Sequence, residues 1–444
     1  MKQYTQGSDV DLLTSMETIE DVRNTIGTPE DLLKAEQIEE AADYLAQGFC
    51  KHTPLIYSEE FSNEHGFKVY LKPENLQKTG AYKVRGASWR IAHLTDEERR
   101  HPLMTASAGN HAQGVARAAR DAGLKAIVTM PETTPLVKVN RTIAYGARII
   151  KYGDTFDEAF DYAIKLSTEN NYTFIHPFDD LVVAQGQGSI GVEILRDMPD
   201  LDLVLIPIGG GGLAAGTAAY IKQRSPETLV YGVEPARANS AQVALELGHP
   251  EKLRHINTIA DGVAVARTGN HVFPYLERYL DGVITIRDEE LVPSFLDMME
   301  SHKMIVENAG LLPVAALKHL KDIEGLKLTP DFKVCSILSG GNMDVITVSS
   351  LVQHGLIARS RIFTFAVLLP DRPGELERIA HVVAEMKGNI IHLEHNQFVS
   401  INRNSAVQLQ VTLEAFGAEH KKEIINALKN AGYDPFIVNS SRIY

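Results

Sequence analysis

The chain has 444 residues, a formal net charge of −13 and two cysteines, Cys50 and Cys335. At roughly 100–200 residues per domain, this length accommodates two to four domains. The acidic balance argues against a nucleic acid or an anionic membrane as a partner. Two distant cysteines fit neither a disulfide framework nor a zinc site. Because the start lacks an apolar signal segment and no run of about 18 apolar residues occurs, we expect a cytoplasmic protein.

Residues 1–35 are polar and acidic, and we interpret them as an N-terminal extension that is weakly ordered or forms an oligomer contact. From residue 36, β-rich runs alternate with helical stretches. Strands are predicted at 68–72, 125–130, 148–152, 172–175, 203–208, 229–234 and 334–338. Helices are predicted at 35–49, 112–122, 156–170 and 293–301. This alternation predicts βαβ units and a mostly parallel sheet, which binds ligands at the carboxyl ends of its strands.

The pattern changes near residue 355, and we place a domain boundary at about 355–361. The tail predicts strands at 361–369, 390–395, 406–413 and 435–438, with helices at 375–387 and 418–431. The resulting order is βαββαβ, which is the ferredoxin-like arrangement.

The first motif with chemical content is Lys-Thr-Gly-Ala-Tyr-Lys at 78–83. Lys83 follows the aromatic Tyr82 at a predicted turn between a strand and a helix. A lysine that forms a Schiff base must spend time unprotonated, so it needs a sheltered position. A solvated surface lysine is the alternative, and this motif alone does not decide between the two.

The second motif is Ser-Ala-Gly-Asn-His at 107–111, where small residues precede a predicted helix. The amides of 107–109 and the helix start can hold an anion such as a carboxylate. The Asn110 side chain can form a hydrogen bond with a ring hydroxyl. The alternative is an ordinary helix N-cap at Ser107.

The third motif, Ile-Gly-Gly-Gly-Gly-Leu-Ala-Ala-Gly at 208–216, follows a buried strand and opens a helix. Its backbone N–H groups and the helix dipole favour a phosphate group. It matches neither the Walker loop nor the usual dinucleotide fingerprint. The fourth motif, Ser-Gly-Gly-Asn at 339–342, also follows a strand. Ser339 can form a hydrogen bond with a heterocyclic nitrogen, and a plain turn is the alternative.

In this order the four motifs resemble the threonine/serine dehydratase branch of the fold-type II pyridoxal-phosphate enzymes, over residues 40–345. The phrases at 52–55, 261–264 and 307–310 match as well. The tail resembles an ACT domain, with its first turn at 371–376. The resemblance implies an α/β fold with two open, twisted, mostly parallel domains, followed by a βαββαβ ACT domain. The implied domains are an extension at 1–35, a catalytic domain at 36–350 with an inserted subdomain at about 84–187, and a regulatory domain at 361–444.

The resemblance also implies a cofactor, pyridoxal 5′-phosphate, and a role for each motif residue. Lys83 carries the cofactor and accepts the substrate Cα proton. Tyr82 packs near the ring, where the family more often has phenylalanine. Ser339 faces the ring nitrogen and Asn110 the ring hydroxyl. The implied phosphate ligands are the backbone groups of Gly209, Gly210, Gly211, Gly212 and Leu213. The residues implied to line the substrate carboxylate are Ser107, Ala108, Gly109 and His111.

The implied reaction converts L-threonine to 2-oxobutanoate and ammonia, and L-serine to pyruvate and ammonia. The alternatives are a serine racemase, a threonine synthase or a non-catalytic amino-acid sensor. Racemases of this family have a second serine at the position of Ala108, which has no proton to donate. A synthase needs a basic cluster for a phosphate-bearing substrate, and none is evident. The intact motifs argue against a sensor.

Two further expectations follow from the resemblance. Related enzymes bind a divalent ion near a Glu-Pro segment, here Glu234-Pro235, but the later acidic position corresponds to Ser240, so we predict no metal site. ACT domains pair edge to edge and bind amino acids between two copies. We therefore expect a homodimer or homotetramer, with an amino-acid effector such as isoleucine or valine at Asp371, Gly374 and Asn389. A purely structural oligomerisation module is the alternative.

Overall fold

The computed structural model describes residues 33–396 and 407–438, and these form two compact units. The first unit comprises 33–294 and 298–344, and the second comprises 295–297 and the described residues from 345 onwards. The predicted extension at 1–35 therefore lies almost entirely outside the described residues. The unit boundary falls after Asp344, so the helical residues up to Ala358 group with the second unit.

The first unit contains two sheets. Its strands are β1 (Ile56–Ser58), β2 (Lys68–Lys72), β3 (Leu103–Ala106), β4 (Ala126–Met130), β5 (Arg148–Lys151), β6 (Thr173–Phe174), β7 (Leu203–Pro207), β8 (Leu229–Pro235), β9 (Gly282–Ile286) and β10 (Lys333–Ile337). The larger sheet has the order β1-β2-β10-β7-β8-β9, and only β1 is antiparallel to its neighbour. The smaller sheet, β5-β4-β3-β6, is entirely parallel. These sheets confirm the predicted α/β architecture.

Helices separate the strands of this unit. They are α1 (Ala35–Ala46), α2 (Glu59–His65), α3 (Val84–Ala92), α4 (Asn110–Asp121), α5 (Leu136–Ala144), α6 (Phe156–Asn170), α7 (Leu181–Asp197), α8 (Gly212–Arg224), α9 (Ser240–Leu247), α10 (Phe273–Tyr279), α11 (Asp288–Ser301) and α12 (Asn308–Ala315). Strands β4 and β7 are buried at every position, as expected when helices cover both faces of a parallel sheet.

Local sequence signals explain where the helices begin and end. Helix α6 has the predicted bounds, because Thr155 and Glu158 form a capping box at its start and Asn171 adopts a left-handed conformation at its end. The prediction for α11 was wrong at its start. The predicted start was Pro293, a residue type that favours the first turn of a helix. The helix begins five residues earlier at Asp288, where Glu290 accepts from the backbone N–H of Arg287, and Pro293 lies inside it.

The topology brings the four motifs to strand ends. The Ser107 loop follows β3, the tetraglycine loop follows β7 and the Ser339 loop follows β10. Strand β10 pairs in parallel with both β2 and β7, so the loops that follow these three strands meet at one edge of the larger sheet. This is the edge at which parallel sheets bind ligands.

The second unit contains helix α13 (Val345–Ala358) and an antiparallel sheet. Its further elements are β11 (Ile362–Leu369), α14 (Glu375–Glu385), β12 (Asn389–Asn396), β13 (Val407–Glu414), α15 (Ala418–Asn430) and β14 (Phe436–Val438). The strand order β12-β13-β11-β14 confirms the predicted βαββαβ arrangement. Ile379 and Val383 of α14 and Ile424 of α15 pack against one face of this sheet. No helix among the described residues is both long enough and apolar enough to span a bilayer.

Candidate active site

Lys83 immediately precedes α3, and its ammonium group lies in a sheltered environment. Its Nζ donates to the carbonyl oxygen of Pro177 at 2.9 Å and lies 5.4 Å from the centroid of the Tyr82 ring. Burial lowers the pKa of Lys83 to about 8, although the negative charge of Glu307 acts in the opposite direction. The residue keeps part of its surface accessible. Lys83 is therefore not a solvated surface lysine, and its amine loses its proton more readily than that of an ordinary lysine.

The Ser107 loop connects β3 to α4. The residue at the N-cap of α4 is Gly109, and no side chain caps this helix. The Ser107 hydroxyl instead accepts from the Gly109 N–H at 3.1 Å, so the alternative of a Ser107 helix cap was wrong. A Cβ added at Gly109 would meet no atom within 4 Å. The loop at Gly109 therefore borders open space.

The His111 ring, one of the residues predicted to line the substrate carboxylate, is directed into the protein. Its Nε2 lies 3.2 Å from the carbonyl oxygen of Ile175, which requires Nε2 to donate. Its Nδ1 is buried and has no hydrogen-bond partner among the described residues. Burial lowers the pKa of His111 to about 3, so the ring is neutral. His111 therefore offers no positive charge to a carboxylate.

The tetraglycine loop leads from β7 into α8. Gly211 has φ +104°, a left-handed conformation that glycine adopts readily. Among the described residues, none accepts a hydrogen bond from the N–H groups of Gly209, Gly210, Gly211, Gly212 and Leu213. These N–H groups lie in the loop before a 13-residue helix and in its first turn. Such a set of donors is suited to binding a phosphate group.

A segment that the sequence did not indicate, Pro177-Phe178-Asp179, connects Lys83 to the tetraglycine loop. Pro177 accepts from Lys83, and a Cβ at Gly210 would lie only 2.1 Å from the Phe178 ring. Asp179 accepts from three consecutive backbone N–H groups, those of 270–272, at 2.8–3.2 Å. This segment carries no recognisable motif, because its role depends on a packing contact and on backbone groups.

The Ser339 loop joins the first two motifs. Ser339 is buried at the end of β10, and its carbonyl oxygen accepts from the Tyr82 N–H at 3.0 Å. The Asn342 side-chain Nδ2 donates to the carbonyl oxygen of Thr79 at 2.8 Å and to the Asn110 Oδ1 at 2.9 Å. A Cβ at Gly80, which has φ +72°, would lie 2.5 Å from the Asn342 Oδ1. The loop is therefore a junction between motifs, and the role of Ser339 beside a ring nitrogen stays a prediction.

Glu307 is a second residue of this region that was not predicted, although the phrase 307–310 contributed to the resemblance. Its side chain is 6% exposed, and its Oε1 accepts from the Asn110 Nδ2 at 2.7 Å. Burial, aided by the negative charge of Asp261, raises the pKa of Glu307 to about 7. Nothing in the local sequence identifies this contact, because 197 residues separate the two partners.

Glu234, the carboxylate that we considered for a metal, is fully buried and has backbone partners. Its two oxygens accept from the N–H groups of Ala241 and Gln242 at 2.9 Å each, in the first turn of α9. Burial raises the pKa of Glu234 to about 8. Within the described ranges, no cluster of three or more His, Cys, Asp or Glu side chains is placed to hold a metal ion.

The three predicted effector residues are not brought together within one copy of the second unit. Gly374 caps the start of α14, and Asp371 lies in the turn before it. Asn389 begins β12 beyond the other end of this 11-residue helix, which is about 16 Å long, and donates to Glu414 at 2.7 Å. A single copy therefore has no shared site for these residues.

Comparisons with known proteins agree with this geometry. The family described as "Pyridoxal-phosphate dependent enzyme" matches residues 47–340. An L-threonine ammonia-lyase of Thermotoga maritima is 37% identical over 92% of this chain and 100% of its own length. The processed form of threonine deaminase isoform 2 from Solanum lycopersicum has a TM-score of 0.68 and 36% identity, covering 73% of this chain and 89% of that chain.

The structure of a serine racemase from Dictyostelium discoideum is also similar. It has a TM-score of 0.65 and 34% identity, and the match covers 70% of this chain and 99% of that chain. The fold therefore does not separate dehydratases from racemases, and only side chains within the site bear on that choice. By fold, sequence and motif order, the chain belongs to the threonine/serine dehydratase branch of the fold-type II pyridoxal-phosphate dependent enzymes.

Proposed function

We propose that this protein converts L-threonine to 2-oxobutanoate and ammonia, and L-serine to pyruvate and ammonia, with pyridoxal phosphate attached to Lys83. The observation that carries the proposal is a sheltered lysine amine that donates to Pro177, while the adjacent Phe178 packs on a loop of free backbone N–H groups. Burial lowers the pKa of this amine to about 8. The names of the Thermotoga maritima and Solanum lycopersicum relatives support the choice of threonine.

The residues of the site fit this cofactor. The five free N–H groups of 209–213 match a phosphate group, and the neutral Ser339 at the end of β10 suits a ring nitrogen. When bound, pyridoxal phosphate withdraws electrons from the substrate Cα, so that its proton can be removed. A serine beside the ring nitrogen adds no negative charge, which limits this electron withdrawal and favours elimination over transamination.

The protein groups then have distinct tasks. The Lys83 amine, once released by the incoming amino acid, accepts the Cα proton, for which its lowered pKa is suited. The loop at 107–109 binds the substrate carboxylate and orients Cα. Ala108 has no proton to return to the opposite face of Cα, which supports elimination rather than racemisation. The His111 ring is neutral, and the N–H groups of Ser107 and Gly109 already donate to the Thr129 carbonyl oxygen and the Ser107 hydroxyl oxygen. The donors that this loop offers to the carboxylate are therefore the Ala108 N–H and the Ser107 hydroxyl.

The lowered pKa of Lys83 predicts how apoprotein binds its cofactor. Only the unprotonated amine attacks the cofactor aldehyde, so the rate should rise with pH and level off above the pKa. We expect the midpoint near pH 8, as the pKa of about 8 implies, whereas an ordinary lysine gives a midpoint near ~10.4. Stopped-flow absorbance of apoprotein mixed with pyridoxal phosphate measures this profile. A midpoint above pH 10 would contradict the sheltered environment.

A product assay tests the reaction itself. We expect holoenzyme to release 2-oxobutanoate from L-threonine and pyruvate from L-serine, each with one equivalent of ammonia. Chromatography on a chiral phase should detect no D-serine in the same reactions. Formation of D-serine without a keto acid would favour the racemase alternative. Cofactor absorbance without turnover of either amino acid would favour a sensor.

For the rest of the chain, we infer a catalytic domain at 36–350, with an inserted subdomain at about 84–187, and an ACT domain at 361–444. The effector residues Asp371, Gly374 and Asn389 lie at opposite ends of α14, so a shared effector site would need residues from two paired copies. We infer a homodimer or homotetramer in the cytoplasm that senses an amino acid between ACT domains. The apolar sheet core and the strand order of this unit support the inference.

Regulation has a direct test on the full-length enzyme. We expect isoleucine or valine at millimolar concentration to change the threonine concentration at half-maximal rate by about threefold or more, the lower range of allosteric coupling. Asp371→Ala should abolish this response and leave the basal rate unchanged. Identical saturation curves with and without each branched-chain amino acid would indicate a purely structural module.

A further inference from the structure

We propose that Glu307 is a positioning residue that holds the Asn110 side-chain amide in the one orientation that offers an N–H to the cofactor ring oxygen. The inference rests on the proposed function, in which Asn110 faces the ring hydroxyl. It assigns a task to a buried carboxylate that takes no part in the reaction steps described above.

The Thr79 carbonyl oxygen determines the orientation of the side-chain amides of Asn342 and Asn110. The Thr79 carbonyl oxygen only accepts hydrogen bonds, so the Asn342 atom at 2.8 Å must be the amino nitrogen Nδ2. The same Nδ2 lies 2.9 Å from Asn110, so the Asn110 atom that faces it must be the acceptor Oδ1. The Asn110 Nδ2 is thereby directed towards Glu307, whose Oε1 accepts at 2.7 Å. One N–H of the Asn110 amide then remains for a ligand.

Glu307 is suited to anchor this chain of hydrogen bonds. Its own backbone N–H donates to the Gly340 carbonyl oxygen at 2.9 Å, and a Cβ at Gly340 would lie 2.3 Å from its Oε1. The backbone N–H of Asn342 also favours the ionised carboxylate. The carboxylate thus packs on the Ser339 loop, and its Oε1 accepts from Asn110. A side chain without an acceptor oxygen at this position would leave the Asn110 N–H without this partner.

The charged groups around Glu307 have opposite effects on the ionisation of its carboxyl group. Asp261 and burial favour its protonated form, whereas Lys138, whose Nζ lies 2.7 Å from the Asp261 carboxylate, favours the ionised form. Lys83 is close enough for its pKa to respond to the Glu307 charge. Either protonation state leaves an oxygen that accepts from Asn110, so the positioning role does not depend on a particular charge.

The test compares Glu307→Leu with Glu234→Leu in the holoenzyme. Both carboxylates are buried and accept hydrogen bonds, but those of Glu234 come from the first turn of α9. We expect Glu307→Leu to shift the visible absorption band of the bound cofactor and to raise the dissociation constant for pyridoxal phosphate about tenfold, as loss of one well-placed hydrogen bond does. Glu307→Gln keeps an acceptor oxygen and should retain both properties close to those of the wild type. Glu234→Leu should lower the unfolding temperature and leave the band and this constant unchanged.

A double substitution tests whether Glu307 acts on the cofactor through Asn110. If Glu307 acts through Asn110, Glu307→Leu should cause no further change in band or affinity when Asn110 is already alanine. The inference is wrong if Glu307→Leu alone leaves the spectrum and affinity as in the wild type, or if its effect is equally large in the Asn110→Ala protein. Because both readouts are independent of turnover, a wild-type protein that forms no keto acid would overturn the proposed function without affecting this test.

Discussion

Replacing Lys83 by alanine should reduce keto-acid formation from threonine by about 10³-fold or more and abolish the visible absorption band of the lysine-bound cofactor. The expected loss combines the missing attachment point with the missing acceptor for the Cα proton, and the proton acceptor alone contributes about 10²–10⁴-fold. Absorbance spectra and coupled keto-acid assays measure the two effects separately.

Two further variants test whether the losses of band and activity are specific to the Lys83 amine. Lys83→Arg keeps the positive charge, but a guanidinium does not lose its proton at accessible pH, so it should be as inactive as the alanine variant. Lys78→Ala removes the other lysine of the same motif, which donates to the Gly48 carbonyl oxygen away from Lys83, and should retain both band and activity. A Lys83→Ala protein that still forms the band would place the cofactor on a different lysine.

A buried network of charged side chains is centred on Arg85, two residues after Lys83. We expect its disruption to lower the free energy of unfolding strongly. Arg85 is 1% exposed and donates to both oxygens of Glu74 at 2.7 and 2.8 Å and to Glu193 at 2.7 Å. Lys72, also fully buried, donates to the second oxygen of Glu193 at 2.5 Å. The Thr53 hydroxyl donates to Glu74 at 2.5 Å. Two cations and two anions therefore compensate each other in the interior.

Arg85→Met should lower the free energy of unfolding by about 3–5 kcal/mol, because it leaves one carboxylate of this network buried without compensation. Denaturant unfolding of the apoprotein, followed by circular dichroism, measures the change. Activity should fall as well, since Arg85 lies two residues after Lys83 in the first turn of α3.

Arg90→Met is the matched control on the same helix. Arg90 pairs with Glu98 at 2.6 Å and Asp180 at 3.0 Å, but these three side chains are 16–29% exposed, so solvent screens the pairs. We expect a loss of about 1 kcal/mol or less. Equal losses for the two arginine variants would mean that the Arg85 network does not carry the predicted burial penalty.

Much of this protein could be predicted from the sequence because the relevant signals are local. The alternation of strands and helices indicated parallel α/β units, and the predicted bounds of α6 match the observed ones. The tetraglycine loop was identifiable because a run of glycines between a strand and a helix leaves backbone N–H groups open to an anion. The βαββαβ order of the tail followed from alternating apolar positions within a short stretch.

The tertiary structure alone decided how the motifs contact one another. The Asn342 amide connects Thr79 with Asn110, and Glu307 meets Asn110 across 197 residues of sequence. Phe178 packs on Gly210 without any recognisable motif. The pKa of Lys83 likewise depends on burial by groups distant in the chain. By itself, the sequence determined which residue types stand at the strand ends. Only folding determined their burial and hydrogen-bond partners, because these depend on distances between segments that local patterns do not encode.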